Sequence, residues 1–138
     1  MIDPSIPSVQ KCLEGMRAEG AGNAEEAKRF FTEAWDLAST DYERAIAAHY
    51  LARQQPSPEE ELYWNQIALD NARDVPEAAG FLPSLLGSVG LSLEKLGKNE
   101  DAVRHFHEAE MHFSVLSDDA YGDLVRTMVT NGLARLGN

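Results

Sequence analysis

Two segments of this chain, GNAEEAKRFFTEA (residues 22–34) and GKNEDAVRHFHEA (residues 97–109), follow one pattern of small and aromatic residues. Each begins with glycine and continues with alanine at its sixth position, phenylalanine at its tenth and alanine at its thirteenth. A further glycine, Gly15 or Gly90, lies seven residues before each segment. The offset of 75 residues is twice about 37, which predicts a third copy between the two.

The intervening segment YERAIAAHYLARQQPSPEEELYWNQIAL (residues 42–69) fits this third copy, with Ala68 lying 34 residues after Ala34. Its glycine, first alanine and aromatic positions are changed, and they hold His49, Glu61 and Asn65. We expect Tyr63 and Trp64 to supply the bulk that an aromatic residue provides in the other copies.

The spacing of apolar residues predicts helices throughout. Apolar side chains recur three and four apart, and no stretch of four or more residues alternates strictly. Capping sequences begin at Asn23, Thr40 and Ser57, and Gly22 and Gly97 stand at helix ends. Together these features predict seven helices, near residues 7–20, 24–38, 41–54, 58–73, 82–96, 99–114 and 118–136. Residues 74–80 are the one stretch with the composition of a longer loop.

Short turns make consecutive helices antiparallel. Two helices cross closely where a small residue on one meets a bulky residue on the other, so we expect Phe31 to face Gly15 and Phe106 to face Gly90. One hairpin cannot bury both of its faces, and the hairpins therefore stack. The prediction is a single all-α domain over residues 1–138, an antiparallel helix-hairpin solenoid of about three repeats. Its hairpins span about 7–38, 41–73 and 82–114, with a C-terminal capping helix near 118–136.

This pattern resembles the tetratricopeptide repeat (TPR) family over about residues 8–114. The residues that carry the resemblance are Gly15, Gly22, Ala27, Phe31 and Ala34 in the first copy and Gly90, Gly97, Ala102, Phe106 and Ala109 in the third. The resemblance implies a groove, lined by the first helix of each hairpin, in which extended peptides or helices bind. The middle segment looks like that of bacterial tetratricopeptide proteins, which implies a prokaryotic cytoplasmic origin.

Carried over by spacing from the first-helix glycines, the resemblance places nine residues in this groove: Cys12, Met16, Glu19, Ile46, Tyr50, Arg53, Gly87, Leu91 and Glu94. The last helix adds Val129 and Leu133 if it is in register with Gly132. The alternative is that these residues pack against the capping helix or a second subunit. Family members that bind chaperone tails use lysine, asparagine and arginine at positions that hold Cys12, Met16, Ala47, Ser84 and Ser88 here, so we do not expect chaperone-tail binding.

The charge of the chain narrows the classes of partner. Twelve basic and 23 acidic residues give a net charge of −11, spread evenly as −6 over residues 1–69 and −5 over residues 70–138. An acidic surface repels phosphate backbones and anionic lipids, so a protein or peptide that is basic or apolar is expected, and nucleic acid and membrane are not. The lone Cys12 and the lack of an apolar leader favour a reducing cytoplasm.

The sequence offers no motif for catalysis, a cofactor or a metal. It has neither a Gly-x-x-x-x-Gly-Lys phosphate loop nor His-Glu-x-x-His. His105, Glu108 and His112 share a helix face at spacings that zinc sites use, but an exposed face without cysteine is better explained as solvated surface. Cys12, on an apolar helix face, is expected to be buried and inert. We therefore expect no enzymatic activity, no cofactor and no metal.

The function expected from the sequence is a non-catalytic scaffold that binds a peptide or helix of another protein in the groove. Two alternatives stay open. One is a homo-oligomeric structural module, in which a second copy covers the same surface. The other is a sensor or regulatory domain of a larger system, including an enzyme-accessory role.

Overall fold

The computed structural model describes residues 3–137, so Met1, Ile2 and Asn138 of the predicted domain lie outside the described residues. The described chain is all-helical, at 79% helix and without strands. Its elements are α1 (Pro7–Gly20), α2 (Ala24–Leu37), α3 (Asp41–Ala52), α4 (Pro58–Ala72), α5 (Leu82–Lys95), α6 (Asn99–Met111) and α7 (Ala120–Arg135). Two 3-10 helices, Pro76–Phe81 and Phe113–Val115, precede α5 and follow α6.

The seven predicted helices are all present, with ends that differ by at most three residues from the prediction. The predicted loop over residues 74–80 is wrong in part, because Pro76–Phe81 forms a 3-10 helix. Its proline sets the backbone angle of the first helical residue, and Ala78 turns into the core. This segment thereby becomes a wall of the candidate site described below.

Helix starts and ends follow the predicted chemistry. The side-chain oxygens of Asn23, Thr40 and Ser57 accept hydrogen bonds from the backbone N–H three residues later, at 3.2, 3.1 and 3.2 Å. Each bond satisfies one of the amides that the first turn of a helix leaves without a partner. Gly22 and Gly97 have φ of +81° and +75°, the left-handed conformation that ends a helix. The predicted caps are confirmed.

The predicted contacts between glycine and phenylalanine are also confirmed. A Cβ placed on Gly15 would lie 2.6 Å from Phe31 Cδ1, and one on Gly90 would lie 2.7 Å from Phe106 Cε1. Gly132 of α7 faces the same Phe106 ring, and a Cβ placed on it would lie 2.6 Å from Cζ. Any larger residue would push these helices apart. The repeat alanines beside these contacts are fully buried: Ala27, Ala34, Ala68, Ala102 and Ala109.

Consecutive helices pack in pairs, α1 on α2, α3 on α4 and α5 on α6, and α2 contacts α3 while α4 contacts α5. The terminal helix α7 packs on α5 and α6. The largest core cluster has members on every helix from α3 through α7 and contains Leu69, Leu86, Val89, Phe106 and Val129. Two smaller clusters, around Cys12 and around Phe31, attach α1 and α2 to α3.

The middle pair departs from what the sequence predicts. Tyr63 is 61% exposed and supplies no core bulk, because it lies two residues before the buried Asn65 and so points to the opposite side of α4. Trp64 does pack, edge-on to Trp35 at 5.1 Å between ring centroids. Asn65 is 5% exposed and donates a hydrogen bond to Ser92 Oγ at 3.0 Å.

Candidate functional site

An apolar pocket opens between α3, the 3-10 helix Pro76–Phe81, α5 and the start of α7. Its volume is about 80 Å³. The lining is mainly aliphatic and aromatic: Tyr42, Ala45, Ile46, His49, Tyr50, Ala78, Phe81, Ser84, Leu85 and Tyr121. We call it the apolar pocket. A space of this size accepts part of one side chain, and it is much smaller than a typical cofactor site.

Helical periodicity explains why α3 contributes most of this wall. Tyr42, Ile46 and Tyr50 are four residues apart, so they lie on one face of the helix. Ring contacts fix the wall at both ends. Tyr50 stacks on Phe31 with 5.2 Å between ring centroids, and Tyr42 lies 6.3 Å from Phe81. The pocket is thus built on side chains that the core already holds in place.

A second, polar pocket adjoins the first and shares His49 with it. Its other lining residues are Ala52, Arg53, Glu61, Asn65, Ser88, Leu91 and Lys95. Lys95 Nζ lies 3.1 Å from Glu61 Oε1, and Ser92 Oγ donates to the same oxygen at 2.8 Å. Arg53 pairs with Glu19 at 2.8 Å. We call it the polar pocket, and both of its cations already have carboxylate partners.

Five of the predicted groove residues come together around these pockets. Ile46 and Tyr50 line the apolar pocket, and Arg53 and Leu91 line the polar pocket. Glu19 reaches this surface through its ion pair with Arg53 and also accepts a hydrogen bond from Gln54 at 2.6 Å.

Two further predicted groove residues belong to the packing of the first helix. Cys12 is 2% exposed and packs among Ala34, Ile46 and Ala47. Met16 packs against the cluster around Phe31. Neither forms part of the surface that the two pockets open.

The remaining predicted residues contact α7. A Cβ on Gly87 would collide with the methyl group of Met128, and Glu94 receives two hydrogen bonds from Arg135 at 2.8 and 2.9 Å. Val129 and Leu133 are buried in the core and do not line a groove, because the close approach of Gly132 to Phe106 turns their side of α7 inward. On this side of α5 the surface is covered by α7.

Sequence reasoning missed several residues of the apolar pocket. Tyr42 and His49 could have been found, since they lie on the same α3 face as Ile46. Phe81 and Tyr121 gave no signal, because they come from a segment predicted as loop and from the last helix. Leu85 depends on how α5 is rotated against α3, which spacing alone does not specify, whereas Ser84 was already among the inner-face positions that the resemblance named.

Burial sets the protonation of the groups in and beside the pocket. Desolvation, and secondarily the charge of Arg53, lowers the pKa of His49 to about 4, so its imidazole is neutral near pH 7. Its Nδ1 is buried and has no hydrogen-bond partner within the described part of the chain. Burial raises the pKa values of Tyr42, Tyr50 and Tyr121. Desolvation also raises the pKa of the Cys12 thiol to about 12, which leaves it protonated and a poor nucleophile.

Within residues 3–137, no three His, Cys, Asp or Glu side chains are placed to hold a metal ion together. Of the three that share a face of α6 in the sequence, Glu108 is engaged by Arg73 at 2.6 Å. None of the described helices combines the length and the apolar character needed to cross a membrane. Comparison with protein-family models, with curated proteins and with solved structures gave no match.

Proposed function

We propose that this protein is a non-catalytic interaction scaffold, a TPR-like stack of helix hairpins that binds a peptide or helix of another protein. The observation that carries the proposal is the apolar pocket, which four separate elements build beside the polar pocket. Together the two pockets form a groove along α3, bounded by α5 and by Tyr121 of α7.

The TPR-like arrangement is supported by packing. Helices pair in sequence order, and each of the two well-matched pairs is closed by glycine against phenylalanine, Gly15 on Phe31 and Gly90 on Phe106. Stacked hairpins of this kind present the first helices of successive pairs side by side. The groove we propose lies between two such helices, α3 and α5.

The dimensions of the groove suit a short stretch of polypeptide. From Ala45 in the apolar pocket to Arg53 in the polar pocket, α3 advances by about 12 Å, at 1.5 Å per residue. An extended chain covers that distance in about four residues, at roughly 3.3 Å each. Such a segment can place one apolar side chain in the first pocket and a polar group in the second, which is how peptide grooves combine affinity with specificity.

Selection from a random peptide library on the intact biotinylated protein tests this proposal. We expect enriched peptides to bind through the apolar pocket. Ser84→Trp, which fills the pocket from α5, should weaken an enriched peptide by about tenfold or more, or ~1.4 kcal/mol. Tyr121→Ala, which removes one wall, provides a second pocket variant, and Thr130→Trp on the exposed side of α7 is the matched control.

Peptide affinity is measured by fluorescence anisotropy, and melting temperatures show that each variant folds. Equal affinity for wild type, Ser84→Trp and Tyr121→Ala would rule out the groove as the binding site, as would a selection that enriches nothing. Sedimentation of the same samples tests the homo-oligomeric alternative. A single species near 15.2 kDa, the mass of one chain, would exclude that alternative.

A further inference from the structure

The apolar pocket has an acidic rim. Glu77 lies in the first turn of the 3-10 helix that contributes Ala78 and Phe81 to the lining. Burial raises the pKa of the Tyr42 phenol, and the nearby charge of Glu77 raises it further. On the α7 side, Asp119 caps the helix two residues before Tyr121 by accepting a hydrogen bond from Gly122 N at 2.8 Å. Two carboxylates therefore stand beside two different walls of the pocket.

These carboxylates have no cationic partner. Among residues 3–137, neither Glu77 nor Asp119 forms an ion pair with a lysine, arginine or histidine. None of the lining residues of the apolar pocket is lysine or arginine. The polar pocket does hold Arg53 and Lys95, but Glu19 and Glu61 neutralise them. The unbalanced charge of the groove is therefore negative and lies at its apolar end.

Exposed apolar side chains enlarge the pocket on the same side. Tyr121 lines it and is still 44% exposed, and Leu124, one turn later on α7, is 69% exposed. Side chains three residues apart on a helix are neighbours, so the two form a continuous apolar edge. A side chain larger than the enclosed space can rest on this edge.

Resting on the proposed function, we propose that the groove binds a short basic segment of another protein. A large apolar side chain of that segment enters the apolar pocket, and a lysine or arginine on either side of it lies against Glu77 or Asp119. A second copy of this chain fits less well, because it carries the same net charge of −11. Complementary charge at a rim sets which partner is accepted and how quickly it associates.

The probes for this inference are three labelled synthetic peptides that share a central Leu-Trp and differ only in their flanking residues, which are lysine, glutamine or glutamate. We expect affinity to fall in the order lysine, glutamine, glutamate at low salt. The order should collapse at about 0.5 M NaCl, where charges at an exposed rim are largely screened. Ser84→Trp should weaken the lysine peptide in either buffer.

A charge reversal tests whether the preference for the lysine-flanked peptide arises at Glu77. Glu77→Lys should weaken the lysine-flanked peptide by about threefold to tenfold, the effect of losing one or two exposed ion pairs. Glu100→Lys makes the same change of net charge at the exposed start of α6, and it should change the affinity by less than about twofold because that site is screened from the groove by solvent and salt.

The outcomes separate this inference from the function on which it rests. If all three peptides bind equally and Ser84→Trp still weakens them, the groove stands and the basic preference is wrong. If the lysine peptide binds Ser84→Trp as well as wild type, the attraction is to the acidic surface as a whole and the inference fails. If the wild type sediments as a dimer that Ser84→Trp dissociates, the occupant is a second copy, and the inference also fails.

Discussion

At the scale of single residues, three glycines decide how closely the helices approach. Gly15 lies under the ring of Phe31, and Gly90 and Gly132 lie on two sides of the ring of Phe106. In each case the ring occupies the space where a Cβ would stand. Because a packed core relaxes only in part, the smallest possible addition at these positions is costly.

We predict that Gly15→Ala destabilises the protein by about 1–3 kcal/mol through overpacking against Phe31. Gly20→Ala is the matched control within the same helix, since nothing lies within 4 Å of the added methyl. Alanine favours the helix over glycine, so the control should be neutral or stabilising by up to about 1 kcal/mol. Urea unfolding measures both, and an equal response of the two variants would contradict the close crossing.

The lowered pKa of His49 makes the stability of the protein depend on pH. Burial holds the pKa of His49 at about 4 in the folded chain, against 6.5 for an ordinary histidine. As the pH falls below about 6.5 the unfolded chain takes up the proton first, so stability falls until about pH 4. From these values His49 costs about 2 kcal/mol between pH 7.5 and 5.0.

The measurement is the free energy of unfolding at these two pH values. His49→Leu should show a clearly smaller loss than wild type, although His105, whose pKa is also lowered by burial, leaves part of the slope. A His49→Leu slope equal to that of wild type would mean that this imidazole titrates as it does in water.

At the scale of elements, each helix start depends on a short local sequence. At the start of α3, Thr40 Oγ1 accepts a hydrogen bond from Glu43 N. The Glu43 carboxylate in turn accepts a hydrogen bond from Ser39 N at 3.2 Å. The carboxylate also lies near the positive end of the helix, where a negative charge is favourable. These contacts fix the beginning of the helix that carries most of the apolar pocket.

We predict that Thr40→Ala destabilises the protein by about 1 kcal/mol, the usual effect of losing an N-cap side chain. Thr130→Ala, at an exposed position within α7, should stay within about 0.5 kcal/mol of wild type. Thermal unfolding of the two variants measures the difference. No difference between them would mean that the hydrogen bond from Glu43 N to Thr40 Oγ1 adds nothing measurable to stability.

At the scale of the whole molecule, the core is uneven. One large cluster holds α3 to α7 together, whereas α1 and α2 are attached through the small clusters around Cys12 and Phe31. Local opening is easiest where little apolar surface is buried. The first hairpin should therefore open more readily than the rest.

Native-state hydrogen exchange tests this unevenness. We predict that amides of α1 and α2 exchange through a partial opening, and those around Leu86 and Val89 in α5 only through global unfolding. Phe31→Ala, at a cost of roughly 3–5 kcal/mol, should accelerate exchange mainly in α1 and α2. Phe106→Ala, in the large cluster, should accelerate exchange throughout the chain. Uniform acceleration by both variants would indicate a single cooperative unit.

The amino-acid sequence by itself determined the helices, their caps and the contacts of Phe31 and Phe106. These features depend on residues that are close along the chain, or on one pattern of small and large side chains that occurs twice. Positions carried over from the family resemblance also found Ile46 and Tyr50. Such information is local, and periodicity is enough to recover it.

Only the tertiary structure decided which residues form the site. The rotation of α5 against α3 brings Leu85 to the apolar pocket, and the packing of α7 covers Gly87 while leaving Tyr121 at the rim. The rotation of a helix about its axis depends on every side chain packed around it. A pocket is the space that remains between the packed helices, so it cannot be read from local spacing.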